Sequence, residues 1–159
     1  MAVDIGYEAV SRFSDAWSGR TRIAKGNPAS MAGNVTSIDI YARSDISGLV
    51  VGSFYTTNGN TLKCRDSETI PGTITSGSKV NKVVSVTVEI GDYIGCYFSG
   101  GKLAFSGFGG DGIWLYDGEA IDPDDEETYT LYDGDVISLG GYIEEVVVAA
   151  GRSFGFIIG

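Results

Sequence analysis

The sequence predicts an all-β fold, an antiparallel β-sandwich of jelly-roll type with about ten to twelve strands. Three observations predict it. Apolar residues recur with a period of two, turn residues interrupt the chain about every 8–12 residues, and no stretch keeps a helical period for three turns. The length of 159 residues suits a single domain, expected over 1–159, and 43% hydrophobic residues suffice for a packed core.

The elements follow in order. Ala9 to Trp17 reads as a short helical turn. Val35 to Arg43 alternates polar and apolar, as a half-buried strand does. Leu49 to Thr57 is β-branched and aromatic, Asn58-Gly59-Asn60 turns the chain, and Thr61 to Asp66 returns it. Asn-Gly between two such runs is a hairpin signal, because both residues tolerate positive φ. Pro71-Gly72 and Ser76-Gly77-Ser78 bracket a short Thr73-Ile74-Thr75. From Val80 to Ile90, Val84, Val86, Val88 and Ile90 share one face, opposite Ser85, Thr87 and Glu89. Tyr93 to Phe98, Lys102 to Phe105 and Ile113 to Tyr116 are further strands, and the last are expected at Val136 to Leu139, Tyr142 to Val148 and Ser153 to Ile158. The predicted core includes Leu62, Cys64, Val84, Val86, Val88, Ile94, Cys96 and Phe98.

Composition excludes several functions. The chain has no histidine, which removes imidazole bases, Ser-His-Asp and Cys-His nucleophile systems and histidine zinc ligands. Eleven basic against 21 acidic residues give −10, and residues 117–159 hold all of the excess, with eleven acids and one base, Arg152. That sign disfavours nucleic acid and anionic membrane surfaces as partners. The start lacks the basic and apolar regions of a signal peptide, and no apolar run approaches a membrane span. Cys64 and Cys96 could close one disulfide, but without a secretion signal free buried thiols are the expectation.

Few motifs carry chemistry. Gly107-Phe108-Gly109-Gly110-Asp111-Gly112 fits G-x-G-x-x-G, but a strand-like Ile113-Trp114-Leu115-Tyr116 follows instead of the helix that would hold a pyrophosphate. It reads as a β-β loop. The acidic stretch 117–135 reads as a solvated loop. Within it Asp122, Asp124 and Glu126 have the i, i+2, i+4 spacing of calcium loops, without an EF-hand's glycine and distal glutamate. No cofactor is expected, with calcium as the alternative. Paired carboxylates could serve glycoside hydrolysis, but these lie in one stretch and not on opposite walls of a cleft. Most aromatics fall in strands, where they pack; Trp17, Phe108 and Tyr132 fall in loop-like stretches and are candidates for an exposed sugar-stacking platform.

Val35 to Ala42, Val51 to Tyr55, Leu62 to Asp66, Gly91 to Gly95 and Gly112 to Tyr116 resemble a β-sandwich module of virion proteins of tailed bacteriophages, also found in environmental sequences. The resemblance covers most of residues 1–140, brings no catalytic residues, and does not extend over Glu144 to Gly159. It implies a non-enzymatic virion structural protein assembled in the host cytoplasm, a capsid decoration or particle-surface protein that contacts other virion proteins. The second reading is a carbohydrate-binding module or adhesin head that takes a surface glycan on its loop aromatics. The runs Val146 to Ala150 and Phe154 to Ile158 are apolar at nearly every position, so Val146, Val148, Phe154, Phe156 and Ile158 are expected to bury against a second copy in a homo-oligomer.

Overall fold

The computed structural model describes residues 2–146, and within them the chain is all-β. In chain order the strands are β1 (Ile5–Gly6), β2 (Ser14–Trp17), β3 (Thr21–Ala24), β4 (Gly33–Ser47), β5 (Val50–Asn58), β6 (Thr61–Thr69), β7 (Thr73–Ile74) and β8 (Lys79–Val88). They continue with β9 (Tyr93–Tyr97), β10 (Gly100–Ser106), β11 (Ile113–Tyr116), β12 (Glu126–Thr128), β13 (Thr130–Tyr132), β14 (Val136–Ile137) and β15 (Leu139–Glu145). The count exceeds the expected one because β1, β7, β12, β13 and β14 are only two or three residues long.

The strands form two antiparallel sheets that pack as a β-sandwich-like fold. An eight-stranded sheet curls as a half-barrel around β4. The N-terminal half of β4 pairs with β8 and β15, and its C-terminal half with β10 and β7. The seven-stranded sheet, ordered β12-β6-β5-β9-β3-β11-β13, nearly closes into a barrel of its own.

Two cores result, one on each face of the seven-stranded sheet. Between the sheets, Ile38, Ile40, Leu103 and Leu139 meet Val51, Ile94, Cys96 and Ile113. Inside the near-barrel, Ile23, Phe54, Leu62, Cys64 and Trp114 pack around Ala120, Ile121 and Tyr129. The sequence period shows how one strand serves both. In β9, Ile94 and Cys96 face the first core while Tyr93 and Tyr97 face the second. The Tyr93 and Trp114 rings meet edge to face at 4.9 Å, and the Trp114 indole N–H donates to the Asn60 amide oxygen at 2.9 Å. Each fully buried side chain of this size contributes about 1.5–3 kcal/mol.

All eight predicted core residues are buried. Ile90 is not: it is 72% exposed. β8 ends at Val88 because the Asp92 carboxylate accepts the Glu89 N–H at 2.9 Å and turns the chain, with Gly91 at φ 91°. The Asn58–Thr61 hairpin forms as expected, with Gly59 at φ 63°. The helical turn expected at Ala9 to Trp17 does not form. Ser14–Trp17 is instead β2, whose backbone completes the edge of β10. The acidic stretch 117–135 is likewise no plain loop, since it contains β12 and β13 and is anchored by Ala120, Ile121 and Tyr129. Within the described residues, the strands expected at Val136 to Leu139 and Tyr142 to Val148 form one run that ends at Glu145 and changes partner at buried Ser138, whose amide donates to Ala104 and whose carbonyl accepts from Tyr41. The strand expected at Ser153 to Ile158 lies outside the described residues.

The C-terminal part of the free edge of β8 is capped by side chains of the other sheet. Its Ser85 and Thr87 amides donate to Glu68 at 2.6 Å and Asp66 at 2.8 Å, and its Thr87 carbonyl accepts from the Ser53 hydroxyl at 2.7 Å. Such capping removes the open strand edge that invites intermolecular pairing. Beside it, buried Asp92 takes a two-pronged bond from Arg65, at 2.6 and 3.0 Å, and Arg65 stacks on Tyr55. Asp92→Ala strands that guanidinium and the Glu89 amide together, so it should cost about 2–4 kcal/mol, read as a lowered urea midpoint at unchanged slope.

Cys64 and Cys96 are free and buried, one in each core, with the seven-stranded sheet between them. Burial pushes both thiols up from about 9 to about 12; nearby Asp125, Asp66 and Asp122 add to the effect at Cys64, while Arg22 opposes it at Cys96. Iodoacetamide at pH 8 should therefore label neither thiol in the folded protein and both in urea. Because the folded pKa values are raised, the thiols' contribution to stability is full below about pH 9 and is lost as pH rises towards 12.

Candidate functional site

One end of the sandwich is open. There β2 and β10 of the eight-stranded sheet diverge from β3, β11 and β13 of the other, and a cavity of about 170 Å³ lies between them. Ala16, Phe105, Ile113 and Leu115 give it apolar walls; Asp15, Trp17, Arg20, Arg22, Tyr132 and Asp135 supply aromatic and charged groups. A second cavity of about 240 Å³ shares Arg20, Leu115 and Tyr132 and adds Asp117 and Thr130, so a groove continues outward. Mostly apolar walls with a few polar groups are what small-ligand sites present.

Strand register places these groups. On β3, Ile23 enters the near-barrel, so Arg22 points the other way, between the sheets, paired with Leu115 and Cys96. Its guanidinium donates to the Trp17 carbonyl on β2 at 2.6 Å, and burial lowers its pKa. Tyr132 pairs with Ile113, and Gly134, at φ 84°, turns the chain from Tyr132 to Asp135. Burial raises the Asp135 carboxyl above its usual range.

The remaining charges are matched. Asp15 binds Arg43 at 2.5 Å and Lys102 at 3.6 Å, and the Arg43 hydrogen bond holds its carboxyl below the usual range. Lys102 also lies 4.3 Å over the Trp17 ring and occupies one of its faces. Arg20 pairs with Asp117 at 3.3 Å.

Of the aromatic candidates, Trp17 and Tyr132 meet in the groove, 56% and 44% exposed. Both lie at strand ends and not in loops. Phe108 is 70% exposed in the glycine loop and does not line the groove. That loop joins strand to strand, and the Tyr7 hydroxyl pins it, accepting from Asp111 and donating to the Gly112 carbonyl at 2.7 Å.

The acidic trio is regrouped. Glu119, Asp122 and Asp125 bring carboxylate oxygens within 4.8 Å of one another, whereas Glu126 in β12 accepts from Thr57 and Asp124, at φ 76°, lies in the exposed turn. Asp125 receives the Asp122 amide at 3.1 Å, which folds the turn so that Asp122 and Asp125, not Asp124, face Glu119. Val146 is 57% exposed; Val148, Phe154, Phe156 and Ile158 lie outside the described residues.

Arg22 and Asp135 escaped the sequence reading. No local signal marks Arg22 within Thr21-Arg22-Ile23-Ala24; that every residue of this strand is buried is a fact of the tertiary structure. Compared with protein-family models, curated proteins and solved structures, the chain matches none.

Desolvation, then Asp122 and Asp125, raise the Glu119 carboxyl. In buffer with chelator at pH 7, Glu119→Gln should leave the fold intact and raise Tm by about 1–2 °C. The gain should vanish once the pH is low enough to protonate the wild-type side chain.

Proposed function

We propose that this chain is a non-enzymatic saccharide-binding module and that the groove between β2 and β13 is its site. The observation that carries the reading is the convergence of exposed Trp17 and Tyr132 with Arg20, Arg22 and Asp135 on one mostly apolar groove. Sugar rings offer apolar C–H faces and a rim of hydroxyls. Exposed aromatics accept the former, and arginine and carboxylate groups satisfy the latter. The volume of the inner cavity suits one ring, and the outer cavity extends the site to a second.

Binding is favoured over hydrolysis by the state of the carboxylates. A glycosidase needs a protonated acid facing a free carboxylate. Here Asp15 is held by two cations and Asp117 by Arg20, which leaves Asp135 alone with a raised pKa. The particle-decoration reading rests on the strand and turn resemblance to phage virion modules; an adhesin head on a virion would join the two.

Trp17 and Trp114 differ sharply in exposure, 56% against 3%, so ligand-induced fluorescence change reports on Trp17. In a screen of oligosaccharides, binding should shift the emission, and Trp17→Ala or Tyr132→Ala should weaken the affinity, read by calorimetry, about tenfold, or about 1.4 kcal/mol. Phe108→Ala should leave it unchanged. Affinity indifferent to Trp17 and Tyr132, or release of hydrolysis product, would sink the reading.

A further inference from the structure

Arg22 carries a charge that nothing described in the fold neutralises. It is 5% exposed, the one buried cation among the described residues, and belongs to none of their ion pairs. A guanidinium has five N–H donors. One reaches the Trp17 carbonyl; no other protein acceptor is bonded to it among the described residues. Of the side chains that act on it electrostatically, the Cys96 thiol, with its pKa pushed up to about 12, is uncharged at neutral pH, and Arg20 is of like sign. Burying an ion without a counter-ion is costly, and an apolar side chain of similar volume between Leu115 and Cys96 would avoid that cost. The side chain nonetheless lines the groove. The carboxylates of the groove do not serve it, since Asp15 and Asp117 are paired elsewhere and Asp135 lies beyond ion-pairing distance.

We infer that Arg22 receives a carboxylate of the ligand, and that the saccharide taken by this groove is acidic, of the uronic-acid class. The inference rests on the saccharide reading above and narrows it. A guanidinium and a carboxylate match in two parallel N–H···O bonds, and the pair strengthens as water leaves the site. The carboxylate of a uronic acid projects from the edge of its ring. The ring can then lie along Phe105, Ile113 and Leu115 with the charge at Arg22, while ring hydroxyls donate to unpaired Asp135.

The test uses the full chain and a panel of paired oligosaccharides, each uronate beside its own methyl ester, with a sulfated analogue added, titrated by calorimetry. The uronate should bind about 10–100-fold more tightly than its ester. Arg22→Gln and Arg22→Met should erase that ratio. Because the buried charge is uncompensated, the Met variant should melt at or above the wild-type Tm. Equal binding of acid and ester, a preference that survives in Arg22→Met, or a steep loss of Tm in that variant would each overturn the assignment, the last by making Arg22 a structural tie to Trp17. A sulfated probe that outbinds every uronate would overturn the carboxylate. If esters and acids bind alike but binding still depends on Trp17 and Tyr132, this inference falls and the saccharide reading stands. If no member of the panel binds, both fall.

Discussion

The seven-stranded sheet has no wet face over its central strands, and most of the molecule follows from that. Its strands β9, β3 and β11 send alternate side chains into two cores, one shared with the eight-stranded sheet and one enclosed by its own curl. A sheet loaded on both sides cannot remain flat and open. It must be covered on one face and rolled up over the other. Gly95 shows how tight the curl is: a Cβ there would stand 2.7 Å from the Arg22 carbonyl and 2.8 Å from the Phe54 ring. The acidic stretch is drawn into the same arrangement, because Ala120, Ile121 and Tyr129 fill the barrel that the strands cannot fill alone.

Packing a half-barrel against a near-barrel leaves two margins, and the protein treats them differently. Along β8 the margin is sealed. Glu68 and Asp66 accept the Ser85 and Thr87 amides and Asp92 the Glu89 amide just beyond the strand, so the C-terminal part of an otherwise open edge is capped. At β2 the margin stays open, and the inter-sheet core runs out to solvent between Ala16 and Ile113. The contrast between a sealed margin and an open one that holds an unpaired buried arginine is why the open end reads as the working end.

The overall charge of −10 does not oppose an acidic ligand at this place. Exposed charges act over roughly a Debye length, about 8 Å at physiological ionic strength, and the groove's own balance is local. Within it Arg20 offsets Asp117, and Arg43 and Lys102 offset Asp15. The carboxylate trio of Glu119, Asp122 and Asp125 lies on the connection between β11 and β12 and contributes no lining residue to either cavity. The long-range field slows the approach of an anion, whereas the contact is governed by Arg22 in a desolvated setting.

By itself the sequence determined the class of fold, the hairpin at Asn58–Thr61, the phase of β8 and the burial of both thiols. These follow from period-two patterning and from turn residues that tolerate positive φ, which act over a few residues at a time. It also marked Trp17 and Tyr132 as exposed aromatics. Only the tertiary structure decided which residues meet. Trp17 and Tyr132 are far apart in the chain and come together because β2 and β13 border the same opening, while Phe108, more exposed than either, is carried elsewhere by the glycine loop. The spacing of Asp122, Asp124 and Glu126 counts residues along the chain. A turn at Asp124 and a strand at Glu126 redistribute those carboxylates and bring in Glu119 instead. Ser14 to Trp17 became a strand because the edge of β10 needed a partner, a demand that no local propensity records. Arg22 was hidden for the same reason. An arginine in a four-residue strand looks like a snorkelling surface cation until the second sheet closes over it, and burial by a distant segment is not written in the neighbours of a residue.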